Sequence, residues 1–365
     1  MKIAILSMQR IVNYGSVLQA WSLRQMIREV SGVTADFLDI EDSPALKSNA
    51  PALPEADYQS PAYYSQHVLQ KTKRRIITML SGYNKKLIRR FMQKELKLDA
   101  AETREEYELV IVGSDEVFNH AAGIRLQLHG LVKQAREVIS YAASCGSAKA
   151  EHVCPEDVKM LRDAMKRFAS VSVRDEGTAR YVSCFYDGLI CKHMDPVLMG
   201  ELYARKARKV WLKGYMLVYA YGQRIRTANE IEAIRTFARQ KGLRIVAMGG
   251  SQFWCDLYIP ASPMRLLDWF AHADYVVTDT FHGAVFSVIN QKRFAVIVRP
   301  SNENKLTSLL KDLSLEQRTV EDPTMLGCVL DASVDYDAVN TILARERIRA
   351  RAYLKEHLIN EQASH

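Results

Sequence analysis

The sequence predicts an α/β protein of two doubly wound, Rossmann-like domains facing a cleft. Three observations predict it. Strand and helix signals alternate along both halves of the chain. Asp195-Pro196 breaks the pattern, and a linker over 199–213 follows it. At 365 residues the chain is too long for one ordinary core and suits two.

The elements follow in order. Ile3–Leu6 reads as a buried first strand. A polar turn from Gln9 to Ser16 leads into a helix with Ala20, Leu23, Ile27 and Val30 on one stripe. Ser31-Gly32 ends that helix, and Ala35–Ile40 reads as the second strand. Residues 41–65 are rich in Pro, Ala and Ser and read as loop. Residues 71–97 carry ten basic residues and one acid, a net +9, with Ser81-Gly82 expected to divide them into two helices. Strands are expected at Tyr107–Val112, Val138–Ala142 and Ser170–Val173, with helices at Pro155–Phe168 and Glu176–Val182. The second series has strands at Met216–Ala220, Arg244–Met248, Tyr275–Thr278 and Phe294–Val298. Helices fall between them at Asn229–Gln240, Pro263–His272 and Phe281–Asn290, and a long basic helix spans Tyr336–Leu358.

Composition sets bounds on function. Hydrophobic residues make up 48% and charged residues 25%, as in ordinary globular proteins, which excludes a disordered, collagen-like or disulfide-scaffold chain. Lys and Arg total 50 against 42 acids, a net +8, so the segment 71–97 accounts for essentially all of the excess. The six cysteines form no C-x-x-C pair, and reduced cytosolic thiols are expected. No apolar run reaches a membrane span or a signal-peptide core, so a cytoplasmic location is expected, peripheral at most to a membrane.

In doubly wound sheets, ligands bind beyond the carboxyl ends of the strands, so residues there are the ones to inspect. Asn13-Tyr14-Gly15-Ser16 sits at the mouth of the first helix, where free N–H groups favour anions; helix capping is the plainer reading. Gly113-Ser114-Asp115 offers a carboxylate to a sugar hydroxyl or as a base, or else a cap. Arg174 is a fork for phosphate or carboxylate, or else a surface partner of Asp175 or Glu176. Thr278-Asp279-Thr280-Phe281-His282-Gly283 places a histidine at a helix start, suited to proton transfer. Lys305, opening a further helix after Asn304, adds charge for phosphate. No clear metal cluster is present in the sequence, and no metal is expected.

Taken in order, these segments resemble the polysaccharide pyruvyl transferase family. The resemblance is carried by Asn13 through Ala20, Val112-Gly113-Ser114-Asp115, Ser140 through Ser144, Ser172-Val173-Arg174, Asp195-Pro196, Val277 through Gly283 and Asn304-Lys305. It implies a GT-B-like architecture. Residues 1–198 would form the acceptor side, with a basic helical insertion at 61–99. Residues 214–334 would form the donor side, and 335–365 a C-terminal helix. It implies transfer of the pyruvyl group of phosphoenolpyruvate onto two sugar hydroxyls, as a ketal, in exopolysaccharide or cell-envelope glycan synthesis. No cofactor is implied beyond that donor substrate.

By similarity, Arg174, His282, Gly283 and Lys305 would meet the donor, with His282 as general acid. Asp115 would be a base or acceptor clamp, and Asn13, Tyr14, Gly15 and Gln19 would meet the acceptor, unless Gln19, inside the first helix, only caps or packs. The family often has arginine where this chain has Lys305, so the bidentate fork is lost. It often has Gln-Val-Trp where Glu116-Val117-Phe118 stands, which bears on the acceptor pocket. The acceptor is expected to be a saccharide, free or lipid-linked, and the basic segment would suit an anionic membrane surface or a solvated insertion. A nucleotide-sugar glycosyltransferase is the alternative of the same architecture. Nucleic-acid binding is disfavoured, because the basic segment offers only Tyr83 and Phe91 to stack bases.

Overall fold

A computed structural model describes residues 1–41, 68–98, 106–120, 125–222 and 224–359. The expected loop over 41–65 lies outside these residues, apart from residue 41.

The first sheet is all parallel and has six strands in the order β2-β1-β3-β4-β5-β6. They are β1 (Ile3–Leu6), β2 (Asp36–Phe37), β3 (Tyr107–Asp115), β4 (Ala135–Ala143), β5 (Phe168–Val173) and β6 (Ile190–Lys192). The second sheet is also parallel, ordered β11-β10-β7-β8-β9. Its strands are β7 (Tyr215–Ala220), β8 (Arg244–Gly249), β9 (Leu257–Tyr258), β10 (Tyr275–Thr278) and β11 (Arg293–Val296). The helices are α1 (Tyr14–Ser31), α2 (Val68–Phe91), α3 (Pro155–Met165), α4 (Glu176–Ser183), α5 (Pro196–Met199), α6 (Ala228–Gln240), α7 (Pro263–His272), α8 (Phe281–Ile289), α9 (Glu303–Asp312), α10 (Leu326–Asp331) and α11 (Tyr336–Ile359).

Several expectations shift. The second strand is only two residues long. The strand expected to end at Val112 runs on to Asp115, so Gly113-Ser114-Asp115 closes the strand instead of following it. Ser81-Gly82 does not break the basic segment. Leu80 and Ile77 pack on the second domain, Ile88 and Phe91 sit in the core facing the first, and one helix runs through both. Continuous side-chain packing on both sides of the glycine offsets its low helix propensity, about 1 kcal/mol. A π-helical turn, Met92–Leu96, follows.

The domains share apolar packing. One cluster joins Val17, Leu18 and Leu23 of α1 to Trp269 and Phe270 of α7 and to Phe281 and Phe286 of α8. Helix α11 returns from the second domain to the first. Its Tyr353 hydroxyl donates to the Ser140 carbonyl (2.8 Å) and its Arg347 Nε to the Leu198 carbonyl (3.0 Å). The second domain is thereby fastened to the first, with the cleft between their strand ends.

Candidate active site

Helices α1 and α8 set the geometry of the cleft. Asn13 caps α1, its side chain accepting from the Ser16 N–H (2.8 Å), and Thr280 caps α8 by accepting from the Gly283 N–H (2.9 Å). The first turns of both helices line one cavity of about 180 Å³. Two helix N-termini thus bring partial positive charge to one space. The wall also includes Asp115, Glu116, Arg174, Tyr219, Tyr221 and Lys305.

Three groups from separate segments meet here, with Arg174 and His282 on the cavity wall and Asp195 buried against both. Asp195 Oδ2 accepts from Arg174 Nη1 (2.9 Å) and lies 3.4 Å from His282 Nε2. Its other oxygen accepts from the Val197 N–H (3.0 Å), which starts α5 after the Asp-Pro step. Burial pushes the Asp195 carboxyl up, but His282, Arg174 and the Val197 N–H outweigh it and hold the group below the usual carboxylate range. The Arg174 guanidinium also stacks on Phe281, 4.2 Å from the ring centre.

His282 is fixed from its other side by Gly15. A Cβ on Gly15 would stand 2.2 Å from His282 Nδ1, so only glycine lets the ring lie against α1. Nε2 therefore faces Asp195 and Nδ1 faces the mouth of α1.

Elsewhere in the cavity lining, Lys305 donates to Glu116, joining the second domain to the first. Burial pushes the Glu116 carboxyl up, yet Lys305, Asn119 and Arg174 bring it below its ordinary value. Asp115, at a left-handed φ of 82°, accepts from Ser16 Oγ (2.5 Å) and the Glu116 N–H (3.0 Å). The Tyr14 hydroxyl donates to Asn84 Oδ1 (2.5 Å), with the Ala261 carbonyl 2.7 Å away. Burial pushes that phenol well above its ordinary value, so it is a neutral donor. Helix α2 supplies Ser81, Asn84, Lys85 and Ile88 to the same cavity.

The structure therefore brings Asn13, Tyr14, Gly15, Asp115, Arg174, His282 and Lys305 to one cavity. Two expected residues are elsewhere. Gln19 is fully buried one turn into α1, and its Nε2 donates to Ser7 Oγ (3.1 Å). Gly283 is buried with its N–H spent on Thr280, and a Cβ there would collide with Thr278 at 1.9 Å, so its role is packing. Sequence reasoning passed over Asp195 as a site residue; its signal was an Asp-Pro step directly after a short strand. It also passed over the inward face of α2.

Fold and site define a GT-B-like protein, two doubly wound domains with charged residues converging in the cleft between them. The chain belongs to the polysaccharide pyruvyl transferase family, whose sequence model matches residues 13–301, more than three quarters of its length. It is thus a member of a family of transferases of polysaccharide biosynthesis, with a saccharide acceptor and a donor substrate. No curated protein matches the chain.

Similar solved structures include S. aureus MnaA with UDP, at 12% identity and TM-score 0.46, covering 97% of this chain and 98% of that one. A trehalose 6-phosphate synthase from Burkholderia multivorans matches at 11% and 0.47, covering 100% and 99%. The Streptomyces sp. SF2575 glycosyltransferase SsfS6 with thymidine diphosphate matches at 15% and 0.44, covering 100% of each. At such identities and scores these likenesses fix neither substrate nor chemistry.

Proposed function

We propose that this protein transfers the pyruvyl group of phosphoenolpyruvate onto two hydroxyls of one sugar, in cytoplasmic synthesis of an exopolysaccharide or cell-envelope glycan. The observation that carries the reading is the Arg174–Asp195–His282 cluster, in which Arg174 and His282 line the interdomain cavity and the fully buried Asp195 holds both. Phosphoenolpyruvate is small and highly anionic. Arg174, Lys305 and the N-termini of α1 and α8 suit its carboxylate and phosphate.

The chemistry needs an acid at carbon. With Asp195 ionised against Nε2–H, the imidazolium of His282 presents Nδ1–H toward the cavity. That proton goes to the methylene carbon of the enol, and the carbon bearing phosphate becomes electron-poor. The first sugar hydroxyl adds there and gives its proton to Asp115. The second hydroxyl then displaces phosphate and releases its own proton. One C–H bond and two C–O bonds form, the C=C π bond and the C–O bond to phosphate break, and one of the two hydroxyl protons, the first by way of Asp115, restores His282. The other leaves with phosphate. A positioned acid of this kind is worth about 10²–10⁴ in rate.

Incubation with phosphoenolpyruvate and a panel of lipid-linked and aryl glycosides tests the reading. The expected result is a product one pyruvyl ketal heavier, with phosphate released in equal amount. Nucleotide release from a sugar nucleotide, with no phosphate from phosphoenolpyruvate, would replace it with glycosyl transfer.

A further inference from the structure

Helix α2 has a second face that the transfer chemistry leaves unused. Its inner side is committed, with Ile77 in the core of the second domain, Ile88 and Phe91 in the core beside the first, and Asn84 bonded to Tyr14. Its outer side is different. At about 100° per residue, Arg75, Ile76, Met79, Tyr83, Lys86 and Arg90 fall within one outward arc. Ile76, Met79 and Tyr83 are 48%, 67% and 47% exposed. Arg75, Lys86 and Arg90 are exposed among them. The helix carries Lys and Arg but no Asp or Glu along its whole length.

A solvated face does not need isoleucine, methionine and tyrosine in a row at i, i+3 and i+7 between cations. Such a stripe matches the boundary of a lipid bilayer, where apolar side chains enter the headgroup layer and cations meet lipid phosphates. We propose that the outer face of α2 docks this protein on an anionic bilayer, with Ile76, Met79 and Tyr83 inserted and Arg75, Lys86 and Arg90 on the phosphates. A second copy of the chain is a poor occupant, because it would set one acid-free basic face against another. Nucleic acid is a poor one as well, since Tyr83 is the one aromatic in the arc. Among the described residues no helix is long and apolar enough to cross a membrane, so the contact is a surface one.

The inner face of α2 is a wall of the cavity, so docking sets the cleft beside the lipid surface. The acceptor would then be a saccharide carried on a lipid. That last step rests on the proposed transfer; the docking does not.

Vesicle co-sedimentation of the full chain tests it, with phosphatidylglycerol-containing vesicles against pure phosphatidylcholine. The wild type should bind the anionic vesicles, less as salt rises. Reversal of three charges in Arg75→Glu/Lys86→Glu/Arg90→Glu should cost affinity on the order of a hundredfold. Ile76→Ser/Met79→Ser/Tyr83→Ser should cost at least about tenfold. Both variants should keep phosphate release with a soluble acceptor and an unchanged circular-dichroism spectrum. Absent wild-type binding, or variants that bind like wild type, would overturn the proposal. So would a dimer in vesicle-free sedimentation that the serine variant dissolves. Vesicle binding through α2 without any reaction of phosphoenolpyruvate would keep the docking and remove the pyruvyl acceptor.

Discussion

Asp195 and Asp279 are both fully buried, and both lie beside arginine, yet their carboxyls move in opposite directions. Asp195 falls below the usual range, as described above. Burial raises Asp279 to about 6, and Arg224, Arg299 and the Tyr221 backbone only partly offset it, while Glu230 adds to the rise. The distances explain the split. Asp195 has His282 Nε2 at 3.4 Å, Arg174 at 2.9 Å and a backbone donor at 3.0 Å. Asp279 has Arg224 Nε at 3.2 Å and Arg299 Nε at 3.8 Å, and neither of its oxygens has a well-aligned hydrogen-bond partner. Arg299 is shared, since its Nη1 pairs with Glu230 at 2.7 Å. Equal burial thus yields an ionised anchor beside the cleft in Asp195 and, in Asp279, a carboxyl ready to take a proton in mild acid. The nearby positive charge and donors decide the sign, not burial.

Substitution at each aspartate breaks that comparison in a different way. Asp195→Asn leaves the Arg174 guanidinium buried without its anion, and should cost about 3–5 kcal/mol of stability by denaturant unfolding at pH 7. It should also lower turnover, because His282 loses its charged partner. Asp279→Asn should act through pH. Between about pH 4 and 6 the folded carboxyl keeps a proton that the unfolded one has lost, so wild-type stability falls as pH rises through that window. The asparagine variant lacks this slope, and its stability relative to wild type should climb by about 2–3 kcal/mol from pH 4 to pH 7. Equal slopes in the two proteins would mean that Asp279 is ionised throughout.

Two smaller changes sharpen the picture of the cleft. Gly15→Ala drives a methyl group into the His282 ring, so turnover should drop on the order of 10²-fold for a stability cost of about 1–3 kcal/mol. Unfolding curves and steady-state kinetics on one preparation separate the two effects. Glu116→Gln removes the carboxylate from Lys305 at a partly exposed site. It should change stability by less than about 1 kcal/mol and lower the KM for phosphoenolpyruvate several-fold.

The sequence made the two-sheet fold legible because both halves repeat a strand, a turn and a helix with an apolar stripe. Arg174 and His282 were legible as cleft-facing for a topological reason: each follows the carboxyl end of a parallel strand. Asp195 was not. Its importance comes from meeting residues 174 and 282, and no local pattern encodes that meeting. Gln19 and Gly283 belong to motifs that reach the cavity but do not line it themselves. Helical rotation turns Gln19 toward Ser7, and Gly283 is where α8 touches Thr278. The basic helix was legible in charge but not in course, because its inward polar residues are matched by partners from both domains.

The most direct measurement compares wild type and His282→Ala in phosphate release from phosphoenolpyruvate with a competent acceptor, with unfolding midpoints recorded alongside. The expected result is a fall in kcat of about 10²–10⁴ for a protein that still folds. Turnover within twofold of wild type would contradict it, since no proton would then pass through that imidazole.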